Sequence, residues 1–174
     1  EIFSKYPDRS VDVGISEQNM IGVAAGLSLV GMKPYVHTFA PFCTRRVYDQ
    51  LYTSIGISNN SVHIYGSDPG FWSLYNGATH TTFEDLAIMR SIPNMNVIVP
   101  SDPTSFKWIL NYYVNNDGAY YTRATRKPLP VLYEKNSDFV FGKANLIREG
   151  NDIVLIAIGE MVNETLKVAT ELAL

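Results

Sequence analysis

Two rhythms of apolar residues alternate along the chain. Short runs rich in Val, Ile and Tyr, of strand length, are separated by longer stretches whose apolar residues recur at three- and four-residue spacing. The short runs predict strands at 10–13, 34–37, 62–65, 97–99, 119–122 and 152–158. The longer stretches predict helices over 17–30, 44–55, 82–89, 103–114 and 162–174. Strands alternating with helices imply an α/β fold, a three-layer parallel sheet with helices on both faces, because crossover helices must cover both apolar sides of such a sheet. Gly14 supplies turn freedom before the first long helix, Ser16 stands at its N-cap position, and Gly22, Ala24, Ala25 and Gly26 leave room for close packing. Prolines in Lys127-Pro128-Leu129-Pro130, and the polar stretch 134–138 after them, predict an exit from a first domain. The chain is therefore expected to divide into 1–135 and 136–174.

With 174 residues, 46% of them hydrophobic and 18% charged, the chain can bury one sizeable core. A net charge of −3 lacks the basic surplus that a nucleic-acid binder needs, and no apolar run approaches membrane-spanning length. The single cysteine, Cys43, excludes an intrachain disulfide framework and suits a reducing, cytoplasmic compartment, where it packs as a small hydrophobe. The chain starts at Glu1 and stops at Leu174 inside a helical pattern, so both ends are expected to be truncated.

In open α/β sheets, ligands gather beyond the carboxyl ends of the strands, at the first turns of the helices that follow. Glu17, in Ser16-Glu17-Gln18-Asn19, stands at such a turn. An acid there also answers the positive end of a helix dipole, so position alone leaves both roles open. Its company points to chemistry. Thr38-Phe39-Ala40-Pro41-Phe42 follows the second predicted strand, Asn76-Gly77-Ala78-Thr79-His80 lies in a long loop, and Val99-Pro100-Ser101-Asp102-Pro103 ends a later strand. Phe39 and Phe42 suit the wall of a flat ligand or a place in the core. The basic run Arg123-Ala124-Thr125-Arg126-Lys127 at a sheet edge suits an anion or a solvated loop.

In order and spacing these segments resemble the pyrimidine-binding domain of thiamine-diphosphate enzymes of the transketolase family, over nearly the whole chain. Residues 141–158 resemble the start of that family's C-terminal domain. The resemblance implies that Glu17 presents a carboxyl to N1′ of the aminopyrimidine, favouring the tautomer whose 4′-nitrogen takes the C2 proton. Such a carboxyl is expected in a largely apolar slot. Phe39 and Phe42 would line the pyrimidine pocket, with Arg45 as a third contact where the family often has tyrosine, its guanidinium over a ring face. His80 would be catalytic, facing the substrate's reacting oxygens. Asp68 and Asn76 would join His80 on the sugar, and Arg126 would hold its phosphate. His63 reads as a structural strand residue, whereas His37 precedes the Phe39 wall and could reach the site. Asn76 stands where transketolases usually have an aspartate, and Phe71 and Trp72 add bulk nearby, so a reshaped donor pocket is expected.

The family holds the diphosphate and its Mg²⁺ with a Gly-Asp-Gly motif followed later by Asn, a pattern that this sequence does not contain. The resemblance is thus to the separately encoded C-terminal section of split transketolases. It implies an N-terminal partner section that holds the diphosphate and metal, in a homodimerising or heterotetrameric assembly. The implied activity moves a two-carbon ketol unit between phosphorylated sugars. A deoxyxylulose-phosphate-synthase-like subunit, a 2-oxoacid dehydrogenase β-type subunit and a catalytically silent pairing subunit are the alternatives.

Overall fold

The computed structural model describes residues 2–173. Four strands, β1 (Tyr35–Phe39), β2 (Val62–Ser67), β3 (Met95–Ile98) and β4 (Ala119–Ala124), form a parallel sheet in the order β1-β2-β4-β3. In register, Tyr35 lies opposite His63, Val62 opposite Ala119, and Met95 opposite Ala119 from the other side. The helices are α1 (Ile2–Lys5), α2 (Glu17–Leu29), α3 (Tyr48–Gln50), α4 (Asp85–Arg90), α5 (Pro103–Asn115) and α6 (Met161–Glu171).

Successive side chains of a strand point to opposite faces, and the core divides accordingly. Val62, Ile64, Ala119 and Tyr121 pack with Ile21, Ala24, Val47, Leu51 and Met89 on one face. Tyr120 packs with Ile109 and Tyr113 of α5 on the other. Gly66 is needed in β2 because Tyr121 crosses it closely: an added Cβ would fall 2.7 Å from the Tyr121 ring and 3.0 Å from the Cys43 sulfur. Cys43 itself is fully buried, which pushes its thiol well above the usual range.

The start of α5 shows how a local signal fixes a chain path. The Asp102 carboxylate accepts the Ser105 N–H at 2.7 Å, while the Ser105 hydroxyl accepts the Asp102 N–H at 3.1 Å, a reciprocal cap. The other Asp102 oxygen accepts the N–H groups of Leu132 and Tyr133, so the same residue pins the exit segment to the sheet domain. Burial pushes this carboxyl up in pKa, but the hydrogen bonds from Ser105, Leu132 and Tyr133 outweigh it and hold it below the usual range.

Several sequence expectations are corrected. Residues 10–13 form no strand: no strand among the described residues pairs with them, Val11 is exposed, and Ile15 is 94% exposed. Instead the Asp12 carboxylate accepts the Gly14 N–H at 2.8 Å, in a turn where Gly14 takes a φ of +69°. Residues 152–158 also pair with no strand among the described residues and stay largely exposed. The predicted helix over 44–55 is a 3-10 turn (Arg45–Val47), then α3, then a π-helical stretch (Leu51–Ile57). The helix predicted from 82 begins at Asp85. The last one ends at Glu171, and its predicted final residue, Leu174, lies outside the described residues. Ser16 occupies the N-cap position without a side-chain capping bond. Ala24 and Ala25 are buried as expected, but Gly22 and Gly26 face open space.

Candidate active site

The carboxyl ends of three strands converge on one edge of the sheet. Phe39 is the last residue of β1, Asp68 directly follows β2, and Arg126 comes two residues after β4. From these a continuous arc of contacts crosses the edge. Glu17, at the first turn of α2 and 7% exposed, pairs through Oε1 with Arg46 Nη1 at 2.9 Å. The Arg46 guanidinium carbon lies 3.8 Å from the centre of the Phe42 ring. Phe42 meets His80 edge to face at 4.9 Å between centroids, His80 meets Phe39 likewise at 5.4 Å, and Phe39 meets Phe42 at 6.1 Å. On the far side the Arg126 guanidinium lies 4.8 Å from the Phe39 ring centre and is held by Asp68. The Thr79 hydroxyl pairs with His80 Nδ1 at 2.9 Å, which leaves Nε2 for a ligand.

Glu17, Phe39, Phe42, His80 and Arg126 are thus brought together as the sequence suggested. Arg45 is a correction. It lies over no ring among the described residues; the guanidinium over Phe42 belongs to Arg46. Arg45 instead clamps the His80 loop, donating to the carbonyls of Ala78 (3.3 Å), Thr79 (3.2 Å) and Thr81 (3.2 Å), and to Glu84 Oε1 at 2.6 Å. Burial pushes the Glu84 carboxyl up in pKa, but hydrogen bonds from Arg45 and from backbone N–H groups outweigh it and bring it to about 2.

Asp68 is a second correction, because it does not present itself to a ligand. It is buried with a φ of +52°, and its oxygens accept from Arg126 Nε, the Arg126 N–H at 2.9 Å and the Thr125 hydroxyl at 3.2 Å. It anchors Arg126, whose remaining guanidinium nitrogens are left for an anion. The expected apolar slot around Glu17 is a third, since a guanidinium fills its mouth. Asn76 is exposed at the end of a 3-10 stretch (Gly70–Asn76), with Tyr75 fully open beside it. His37 stacks on Tyr65 at 4.7 Å between ring centroids, while His63 is a buried strand residue.

Sequence reasoning missed two features. Arg46 stands four residues after Phe42, a spacing from which it turns back over the ring. The second is the fully buried Asp85, which accepts from Tyr121 Oη at 2.9 Å and Arg123 Nε at 2.8 Å. It ties α4, and with it the end of the His80 loop, to β4. Among the described residues no group of three or more His, Cys, Asp or Glu is placed to hold a metal ion.

A buried carboxylate at a helix start, linked through Arg46 to a cluster of two phenylalanines and a histidine at a parallel sheet's carboxyl edge, defines an α/β module with its polar and aromatic groups gathered at one edge. Residues 2–131 match the family described as transketolase, pyrimidine binding domain, and residues 142–174 match transketolase, C-terminal domain. The chain belongs to the transketolase family. It is similar to a 6-deoxy-6-sulfo-D-fructose transketolase subunit of Clostridium sp. (strain MSTE9), 44% identical over 97% of this chain and 52% of that one. It is also similar to an apulose-4-phosphate transketolase subunit of Actinobacillus succinogenes, 34% identical over 97% and 54% of the two chains. The chain therefore spans about half the length of these curated relatives. Its fold superimposes on a solved split-gene transketolase described as an inactive β4 tetramer, with a TM-score of 0.91 and 35% identity over 99% of this chain and 56% of the other.

Family membership implies thiamine diphosphate as cofactor. The residues present fit its pyrimidine half. The Glu17–Phe42 slot already receives a planar N–H donor, Arg46, and an aminopyrimidine is another.

Proposed function

We propose that the chain is part of a transketolase subunit that moves a two-carbon ketol unit from a ketose ending in an anionic group. A separate N-terminal section supplies the diphosphate and Mg²⁺ site in an oligomer. The observation that carries this reading is the arc from Glu17 through Phe42, His80 and Phe39 to Arg126, which spans a cofactor-facing carboxylate and an anion-facing guanidinium. The names of the relatives support it: sulfofructose and apulose-4-phosphate both carry a terminal anion. The split-gene neighbour and the subunit names support a partner chain.

Bound thiamine diphosphate supplies the reactive carbon and the electron sink for carbon–carbon cleavage. Glu17 holds the proton at pyrimidine N1′, and burial keeps water from competing for it. Phe39 and Phe42 fix the heterocycle's plane. His80 exchanges protons with the ketose oxygens through Nε2, while Thr79 fixes its other nitrogen. Arg126, oriented by Asp68, takes the terminal anion. Asn76 gives a neutral contact in a loop where an acid is usual.

The test uses the full-length protein, alone and with its N-terminal partner, against ketoses that carry a terminal phosphate or a terminal sulfonate. Transfer that needs both chains and thiamine diphosphate supports the reading. Turnover by the single chain, or turnover without the cofactor, overturns it.

A further inference from the structure

The slot between Glu17 and Phe42 already has an occupant. Arg46 makes both contacts that the proposed function gives to the pyrimidine ring: an N–H group 2.9 Å from the Glu17 carboxylate, and a planar group 3.8 Å from the centre of Phe42. Resting on that reading of Glu17, we propose that Arg46 is a built-in surrogate for the cofactor's pyrimidine. It fills the slot in the cofactor-free protein and swings out on loading, so that this one side chain sets cofactor affinity.

The chemistry of the two groups agrees. A guanidinium is flat, carries N–H donors along its edges and stacks on aromatic faces, as a protonated aminopyrimidine does. A carboxylate as buried as Glu17 is costly to leave unpaired, so a surrogate spares that cost while the slot is empty. The side chain is free to leave, with that of Arg46 37% exposed where that of Glu17 is 10% exposed. Its backbone is held by the bonds from Arg46 N–H to the Pro41 carbonyl and from Gln18 Nε2 to the Arg46 carbonyl, each 3.3 Å, so only the side chain need move.

The other ring-facing arginine differs in kind. Arg126 over Phe39 is anchored by an Asp68 that also binds the Arg126 backbone and Thr125, which fixes it in place. Arg45 cannot take over the slot, because its guanidinium is committed to three carbonyls and Glu84.

The experiment is calorimetric titration of thiamine diphosphate with Mg²⁺ into the full-length protein assembled with its N-terminal partner. Wild type is compared with Arg46→Met, which keeps a flexible stem and removes the charged plane. Freed of a competing ion pair and a cation–π contact, Arg46→Met should bind the cofactor roughly 3- to 30-fold more tightly. Unchanged or weaker binding overturns the proposal. Where Arg46→Met fails to fold, Arg46→Lys carries the test: it keeps the charge but loses the plane, and should tighten binding by a smaller factor. Unchanged or weaker binding again overturns the surrogate role.

Hydrogen–deuterium exchange at thiamine C2 in Glu17→Gln separates this proposal from its premise. With exchange lost in that variant, unchanged affinity in Arg46→Met overturns the surrogate role alone. Retained exchange overturns both.

Discussion

His63 gives the sheet domain a pH dependence that can be worked through in advance. It is 3% exposed on the α5 side of β2, with its ring against Tyr35 (4.3 Å), Tyr113 (4.7 Å) and Tyr120 (5.3 Å between centroids). Neither ring nitrogen has a hydrogen-bond partner among the described residues. Burial, and then the nearby Lys33 charge, push its pKa from 6.5 down to about 4, and the Asp117 carboxylate only partly opposes them. A histidine depressed in the folded state favours folding only while neutral. Its contribution is therefore complete above pH 6.5 and is lost as pH falls toward 4. For a shift of that size, linkage gives a loss of about 2 kcal/mol by pH 5 and about 3 kcal/mol by pH 4. His63→Phe keeps a flat ring in the aromatic cage and cannot titrate. Urea unfolding of the full-length protein at pH 7.5, 6 and 5 should show the variant losing about 2 kcal/mol less than wild type between pH 7.5 and 5. It should be at least as stable at pH 7.5, because two unpartnered nitrogens are gone. Parallel pH slopes for the two proteins would refute the reasoning.

Arg45→Met should loosen the His80 loop and lower kcat/KM for ketol transfer by the worth of one charge-assisted hydrogen bond, about 1.5–3 kcal/mol. Thiamine C2 exchange, measured in parallel, should be unchanged; an equal fall in both rates contradicts a loop-holding role. Asp68→Asn should raise KM for anion-terminated ketoses about tenfold by releasing Arg126, with kcat little altered. A steady-state comparison with a donor lacking the terminal anion checks this, since that donor should be indifferent. Asn76→Asp should improve kcat/KM on ordinary ketose phosphates by at most about 1.5–3 kcal/mol. A donor panel run beside wild type reads it, and no gain on any phosphate would show that the neutral amide is not the selective element.

The legible parts of this chain were those fixed by local signals. Strands β1 to β4 were expected within a few residues, since strand-forming residues cluster in short runs such as 62–65, where Val62, Ile64 and Tyr65 surround His63. The segments at 10–13 and 152–158 also carry strand-forming residues, but a strand needs a hydrogen-bonded neighbouring strand, and none among the described residues pairs with them. At the site, Glu17, Phe39, Phe42 and His80 were readable because each sits in a short segment at a strand or loop end. Arg45 and Arg46 were not, for they are neighbours on a tight turn that sends one toward His80 and the other toward Glu17. Nor was the burial of Asp68, which depends on a loop 58 residues further along the chain.

The central claim is that the buried Glu17 carboxyl activates thiamine diphosphate held against Phe42. Exchange of the thiamine C2 proton for deuterium, followed by NMR in the full-length protein assembled with the proposed N-terminal partner, tests it directly. The account predicts that Glu17→Gln folds and assembles normally but exchanges about 10²- to 10⁴-fold more slowly than wild type, the usual worth of a positioned acid–base group. An exchange rate equal to that of wild type would contradict it and remove Glu17 from the chemistry.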